Sequence, residues 1–472
     1  MSKKAIIWFR NDLRLHDNES LIDALNSVDH IYPVYVFDKR TFFGETSFGF
    51  RKTGVHRARF IIESIHNLRK RLVEKGSNLI VRIGKPEEVL YNLAREWKTN
   101  WIFCNRERTD EEVKVQDALE KNLWSIGQEV RYNRGKMLYY TSDLPFPVTH
   151  TPDTFTAFRK EVEKYIPIRE PLPVPDALPF IDPKAEAGPI PSLQDLGYEE
   201  TDREDTRFKG GETNGLDQLN YYLWETDLIS TYKETRNEML GWDFSSKFSP
   251  FLAHGCLSPK MIYHELKKYE SQRKSNKSTY WMFFELLWRD YFRLTGKKHG
   301  NDIFKITGTK NVRKAWIEDI TLFNLWAEGR TGIPLVDANM REINNTGFMS
   351  NRGRQNVASF LINDLGINWL MGAEYFESLL IDYDPCSNYG NWNYLAGVGS
   401  DPREIRKFNI LFQSKRYDPN GDYVRHWLPE LKNIPASIIH QPDEMSIEDQ
   451  AEYECFIGKD YPAPVINTSR WT

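Results

Sequence analysis

Along the first third of the chain, short runs of β-branched and aromatic residues alternate with longer stretches of helical period. The runs Ala5–Phe9, Ile31–Phe37, Asn78–Ile83, Asn100–Cys104 and Glu129–Tyr132 read as strands. Between them, stretches such as His56–Glu74 place apolar residues at Phe60, Ile61, Ile65, Leu68 and Leu72, the spacing of an amphipathic helix. Strands separated by helices predict a parallel, doubly wound α/β sheet with right-handed crossovers. No Gly-x-Gly-x-x-Gly follows the first strand, so the domain is Rossmann-like in layout only.

The pattern then breaks. Between residues 167 and 191 stand prolines 167, 171, 173, 175, 179, 183, 189 and 191. That density forbids regular helix or central strand and favours extended chain laid over the surface. From Lys209-Gly-Gly-Glu-Thr to about Leu431 the periodicity is helical throughout, which predicts an all-α second domain. The expected division is an α/β domain over 1–135, a Pro-rich connection over 136–209 and a helical domain over 210–472.

A length of 472 residues allows two or three domains with ample core. No run reaches the eighteen apolar residues of a membrane helix, and Met1-Ser-Lys-Lys leads straight into the first strand, without the features of a signal peptide. The four cysteines, 104, 256, 386 and 455, lack metal-ligand spacing and read as reduced thiols. The expectation is a cytoplasmic protein with no membrane attachment and no metal. A net charge of −4 gives no global pull toward nucleic acid, so any such binding must come from a local basic patch. The 14 Trp, 23 Tyr and 27 Phe are either core filling or, in part, stacking platforms and electron relays. Their placement has to decide.

Several stretches carry candidate chemistry. In Trp281–Phe292, positions 281, 285, 288, 289 and 292 share one helical face. Glu285 and Arg289 are either an everyday i,i+4 pair beside a core stripe or the lining of a polar pocket between Trp281, Trp288 and Phe292. Ahead of Pro250, Ser245, Ser246, Lys247 and Ser249 crowd a helix start. Capping needs one or two hydroxyls, whereas three with a lysine suit a phosphate or pyrophosphate. Asn351, Arg354 and Gln355 align on one face of a helix whose other face is apolar. Arg352 and Arg354 are either solvated or phosphate-binding. Asp382 to Gly397 brings Asp382, Asp384, Asn388 and Trp392 within eleven residues, interrupted by Pro385, Gly390 and Gly397. This reads as short helical turns joined by bends, with backbone close to a large polar cofactor. Finally, Arg403, Arg406, Lys407, Lys415, Arg416 and Arg425 alternate with Phe408, Phe412, Tyr417 and Tyr423, a solvated face or a groove for single-stranded nucleic acid.

Taken in order, these stretches resemble one family. Trp8-Phe-Arg-Asn-Asp-Leu-Arg-Leu-His-Asp17, Glu285-Leu-Leu-Trp-Arg-Asp-Tyr-Phe-Arg293, Gly329-Arg-Thr-Gly-Ile-Pro-Leu-Val-Asp337 and Asn351-Arg-Gly-Arg354 are similar to motifs of the photolyase/cryptochrome flavoproteins. Gly210-Gly-Glu-Thr213 and Tyr389-Gly-Asn-Trp-Asn-Tyr394 resemble the DASH-type cryptochromes in particular, and the resemblance runs from about residue 4 to residue 465. It implies an α/β antenna domain and a helical domain holding a bent, non-covalent FAD. Tyr232, Ser245, Ser246, Lys247, Phe248 and Ser249 would grip the FAD phosphates. Glu285 and Arg289 would line the cavity, Asn351 and Arg354 would face the ring system, and Asp382 and Asp384 would lie near the ribityl and ring edge. Asn388 would stand opposite flavin N5, where an amide offers a hydrogen bond without an acidic proton. Trp392, Trp369 and Trp316 match the proximal, middle and distal members of an electron-hopping chain.

The same resemblance implies light-driven splitting of cyclobutane pyrimidine dimers by an electron from excited, reduced FAD. Glu285 would hydrogen-bond the dimer and Trp288 would stack on it. Arg352, Arg403, Arg406 and the basic stretch that follows would hold the backbone. Gln355 and Tyr394 stand where double-strand photolyases carry Met and Trp. A more polar wall offsets less of the flipping cost, which favours dimers in single-stranded DNA, with RNA and duplex DNA left open as ligands. Thr149 stands where a Glu is common in proteins that bind 5,10-methenyltetrahydrofolate, which argues against that antenna. A monomer is expected. The competing function is a blue-light photoreceptor that signals through nucleic acid or protein without repair.

Overall fold

The computed structural model describes residues 2–179, 181, 185–199, 208–400 and 406–471. Its sheet consists of β1 (Lys4–Phe9), β2 (His30–Asp38), β3 (Ile80–Gly84), β4 (Trp101–Asn105) and β5 (Glu129–Asn133), in spatial order β3-β2-β1-β4-β5. Every pairing is parallel, with Ile6 beside Tyr32 on one side and Ile102 on the other. Because both faces are covered, the central strands are apolar without alternation, as Ala5–Phe9 shows. The long helix Val55–Glu74 packs the apolar residues anticipated from its sequence, Phe60, Ile65, Leu68 and Leu72 all being buried.

From residue 208 onward the described structure is helical, apart from isolated bridges. Its central element is the helix Lys277–His299, started by a reciprocal cap between Asn276 and Thr279 and ended with Lys297, Lys298 and His299 against its negative pole. One apolar core runs from the underside of the sheet (Ala5, Ile7, Phe9) through the helices up to Leu294. A second core fills the region from Phe323 to Tyr461.

Polar contacts reinforce that seam. Glu212 of the Gly-Gly-Glu-Thr motif is fully buried and accepts from the backbone N–H of Leu15 and His16 at 2.8 and 3.0 Å while facing Arg71 at 3.1 Å. The two glycines let it arrive there: a Cβ on Gly210 would stand 2.0 Å from the Phe60 carbonyl oxygen, and Gly211 has φ +112°. Between residues 167 and 191 the chain forms no helix or strand among its described residues, whereas the expected connection over 136–209 also holds the helix Phe155–Tyr165. The proline-rich stretch crosses the α/β half through Leu178 N–H to Lys75 O (2.8 Å), and the carbonyl of Arg169 meets His264 Nε2 of the helical half at 3.1 Å.

Asp290 ties helix Lys277–His299 to the segment after β5, accepting from the N–H groups of Leu138 and Tyr139 at 3.0 and 2.8 Å. Burial pushes its carboxyl up from 3.8 to about 6, against the pull of those two bonds and of Arg289. A folded value above the unfolded one means that this group's stabilisation is full below about 3.8 and is lost as pH rises through about 6. Asp290→Asn should remove a downward slope on the order of 3 kcal/mol between those pH values, read as the difference between wild-type and variant urea unfolding curves.

Candidate functional site

The helical half encloses a cavity of about 320 Å³. Its walls come from the turn at 245–249, helix Lys277–His299, helix Asn351–Ser359 and helix Pro385–Leu395. Tyr232, Ser245, Ser246, Lys247, Phe248 and Ser249 all reach it, as do Glu285, Arg289, Asn351, Arg354, Gln355, Asp382, Asp384, Asn388 and Trp392. Lys247 adopts φ +57° and sets its ammonium 2.8 Å from Ser245 Oγ, so the turn is closed on itself with cation and hydroxyls side by side. The expected bends of the 382–397 stretch are a single helix, Pro385–Leu395, with Asp384 as its N-cap accepting from Ser387 N–H at 2.8 Å. Gly390 does not break that helix. Its missing side chain admits Phe292, whose Cδ1 would lie 2.3 Å from a Cβ.

Charged partners differ from the simplest sequence pairing. Glu285 does not bond Arg289: it pairs with Arg236 at 2.8 Å, and Arg289 donates to the backbone carbonyls of Lys136 (2.7 Å) and Leu252 (3.2 Å). Burial raises the Glu285 carboxyl above its usual range and Arg236 pulls it back. Arg354 donates to Asp382 Oδ2 at 2.8 Å, and the Ser249 hydroxyl donates to the same oxygen at 2.6 Å. The other oxygen, Asp382 Oδ1, is buried with no hydrogen-bond partner among the described residues. Asn388 donates from Nδ2 to the Ala373 carbonyl at 2.9 Å, which leaves its Oδ1 for the cavity.

Residues 5–176 match the family model for DNA photolyase, and residues 281–471 match the model for the FAD binding domain of DNA photolyase. A cryptochrome DASH of Gloeobacter violaceus is 50% identical over 469 residues, covering 99% of this chain and 93% of that one. The chain belongs to the photolyase/cryptochrome family, among its DASH-type members. A solved Synechocystis cryptochrome superposes with a TM-score of 0.96 at 49% identity, covering 100% and 98% of the two chains. A class III photolyase from Agrobacterium tumefaciens gives 0.87 at 29% identity, covering 100% and 96%.

FAD is therefore the cofactor of this DASH-type chain, and the cavity suits it. An orphaned buried acceptor (Asp382 Oδ1), a hydroxyl- and lysine-bearing turn and a free amide oxygen are what a flavin with a pyrophosphate would satisfy. Among the three candidate relay tryptophans, Trp392 lines the cavity, Trp369 is fully buried, and Trp316 is half-buried in an otherwise largely exposed stretch. Trp392 packs so closely that a Cβ on Gly372 would meet its Cη2 at 2.3 Å.

Trp288 stacks face to face on Phe155, centroids 3.8 Å apart and planes 8° off parallel, with Tyr394 edge-on at 6.1 Å. Arg352 donates to Gln355 Oε1 at 2.9 Å and lies over Tyr417, while Arg406 covers the Tyr394 ring at 4.5 Å. Arg403 lies outside the described residues. Thr149 is exposed on the short turn Val148–His150. Among the described residues, no helix is long and apolar enough to cross a membrane. The expectations missed Arg236, Tyr383 and Arg293. Arg236 follows Tyr232 at i+4 and Arg293 follows Arg289 at i+4, so helical spacing could have found both, whereas Tyr383 had no signal beyond its acidic neighbours.

Proposed function

We propose that this protein is a light-driven lyase that reverts cyclobutane pyrimidine dimers in single-stranded DNA. The observation that carries the reading is Glu285, held by Arg236 at 2.8 Å on the wall of the flavin cavity with 28% of its side chain open. Bound FAD supplies a photoexcitable electron donor. The chain supplies the rest. A carboxyl whose affinity for protons burial has raised can carry its proton on the oxygen not bonded to Arg236 and donate it, as a hydrogen bond, to a pyrimidine carbonyl that gains negative charge. With Asn388 Nδ2 engaged by the Ala373 carbonyl, Asn388 Oδ1 would be the group offered to the flavin, an acceptor without an acidic proton. Trp288, stacked on Phe155 with Phe292 and Tyr394 beside it, is the aromatic surface that would meet the lesion. The indole chain Trp392, Trp369 and Trp316 would return electrons from the surface when the flavin is oxidised.

Preference for single strands fits the polar pair Gln355 and Tyr394, whose groups are already engaged by Arg352 and Arg406. Such a wall gives an apolar dimer little compensation for leaving a duplex stack. Arg352 and Arg406 supply the local positive charge that the whole chain lacks.

The test is illumination of purified, reduced protein with single-stranded oligonucleotides containing dimers, beside duplexes of the same sequence. Dimers should disappear in the light only, and faster from single strands. Glu285→Gln keeps a donor and should retain most activity, while Glu285→Ala should lose roughly 10- to 100-fold. Absence of any light-dependent loss would overturn the repair reading in favour of a photoreceptor without lyase activity.

A further inference from the structure

One buried group of charges is unused by the reading above, and it belongs partly to the other half of the molecule. Glu107 sits in the loop just after β4, 2% exposed, and its two oxygens face two cations. Oε1 accepts from the ammonium of Lys136, and Oε2 accepts from Arg293 Nη2 at 3.2 Å. The other terminal nitrogen of Arg293, Nη1, donates to Asp384 Oδ2 at 2.7 Å. Asp384 lines the flavin cavity, and its second oxygen is fixed on the Ser387 N–H. Lys136 and Arg293 are 5% and 3% exposed.

The order along this string is Lys136 (+), Glu107 (−), Arg293 (+), Asp384 (−), then the cavity. Away from water and salt, each charge acts on the next with little screening. Glu107 divides the attraction of the Arg293 guanidinium between two carboxylates, so it governs how fully the charge of Asp384 is neutralised on the cavity wall. Lys136 in turn moderates Glu107. The planar fork of arginine suits this bridging role, since it can face two carboxylates at once.

We propose that Glu107, a residue of the α/β half, is a positioning residue for the flavin site: through Arg293 it fixes Asp384 and sets the reduction potential of the bound FAD. The inference rests on FAD in the cavity and not on the repair reaction, so failure of either leaves the other standing.

Two substitutions in the FAD-loaded full-length protein separate an electrostatic role from mere support. Glu107→Gln removes a negative charge with little change of shape. It should favour the reduced, anionic flavin about tenfold, a rise of about 30 mV in the two-electron midpoint. Lys136→Met removes a positive charge from the same string and should shift the midpoint the opposite way, with the flavin absorption fine structure altered in both. Glu107→Asp should move it less than Glu107→Gln. A support role would loosen the site alike in both variants and give shifts of one sign. Equal signs, or unchanged potentials in variants that retain FAD, overturn the proposal. If Glu107→Gln does not fold, Lys136→Met alone decides: a lowered midpoint supports the string and an unchanged or raised one refutes it.

Discussion

Trp392→Phe should yield a folded, yellow protein whose oxidised flavin no longer accumulates in the reduced form under blue light with an external reductant. The indole of Trp392 lies on the cavity wall, and no other tryptophan is among the residues lining it. Phenylalanine preserves most of the apolar contact, including the neighbourhood of Phe376 at 5.2 Å, but is far harder to oxidise. The proximal step of the proposed chain would be lost without the pocket being lost. Absorbance at the flavin band during illumination checks this, and chemical reduction with dithionite should proceed normally. If the variant photoreduces like wild type, electrons enter by another route and the tryptophan relay is wrong. Trp316→Phe, at the half-buried end, should slow the same process while leaving flavin content untouched.

Arg354→Ala should be the most damaging single change in the cavity for cofactor retention. Asp382 keeps only 4% of its side chain exposed, with one oxygen shared by Arg354 and Ser249 and the other without a partner among the described residues. Deleting the guanidinium leaves a nearly buried carboxylate held by one hydroxyl, a loss of about 3 kcal/mol or more. Because Arg354 also donates to the Met349 carbonyl at 2.9 Å, the start of helix Asn351–Ser359 loosens with it. The expected result is purified protein with little FAD and a lowered denaturation midpoint. The double change Arg354→Met with Asp382→Asn should restore part of the stability and none of the flavin binding, since the paired charge is no longer stranded. Full flavin occupancy in the Arg354→Ala protein would remove this pair from the cofactor site.

How much of this was legible in the chain varies from one element to the next. The five strands appear within two residues of their sequence-derived limits, most directly for β1, β2 and β4, which are short apolar runs whose signal does not depend on partners, whereas the edge strand β5 (Glu129–Asn133) is only half-buried. The cavity-lining residues of the 245–249 turn and of helix Asn351–Ser359 were visible as excess polarity beside apolar runs. What could not be read locally was pairing. The Glu285–Arg236 and Arg293–Asp384 bonds join residues 49 and 91 positions apart, so the nearest helical neighbour, Arg289, was the natural but wrong partner for Glu285. Gly390 misled for a similar reason: a glycine that usually interrupts a helix is here the space into which Phe292, from another helix, fits. Likewise nothing in the sequence near Trp288 announces that Phe155 covers one of its faces.

The core shared between Phe9 and Leu294 has a consequence for biosynthesis. A ribosome delivers the sheet first, and helix Val55–Glu74 can cover part of its apolar underside early, but the core it belongs to is completed only by helices reaching to Leu294. The nascent α/β segment must therefore wait, sticky and incomplete, for helices encoded far downstream. Until those helices dock, the part of this core still open is where misassembly competes with folding.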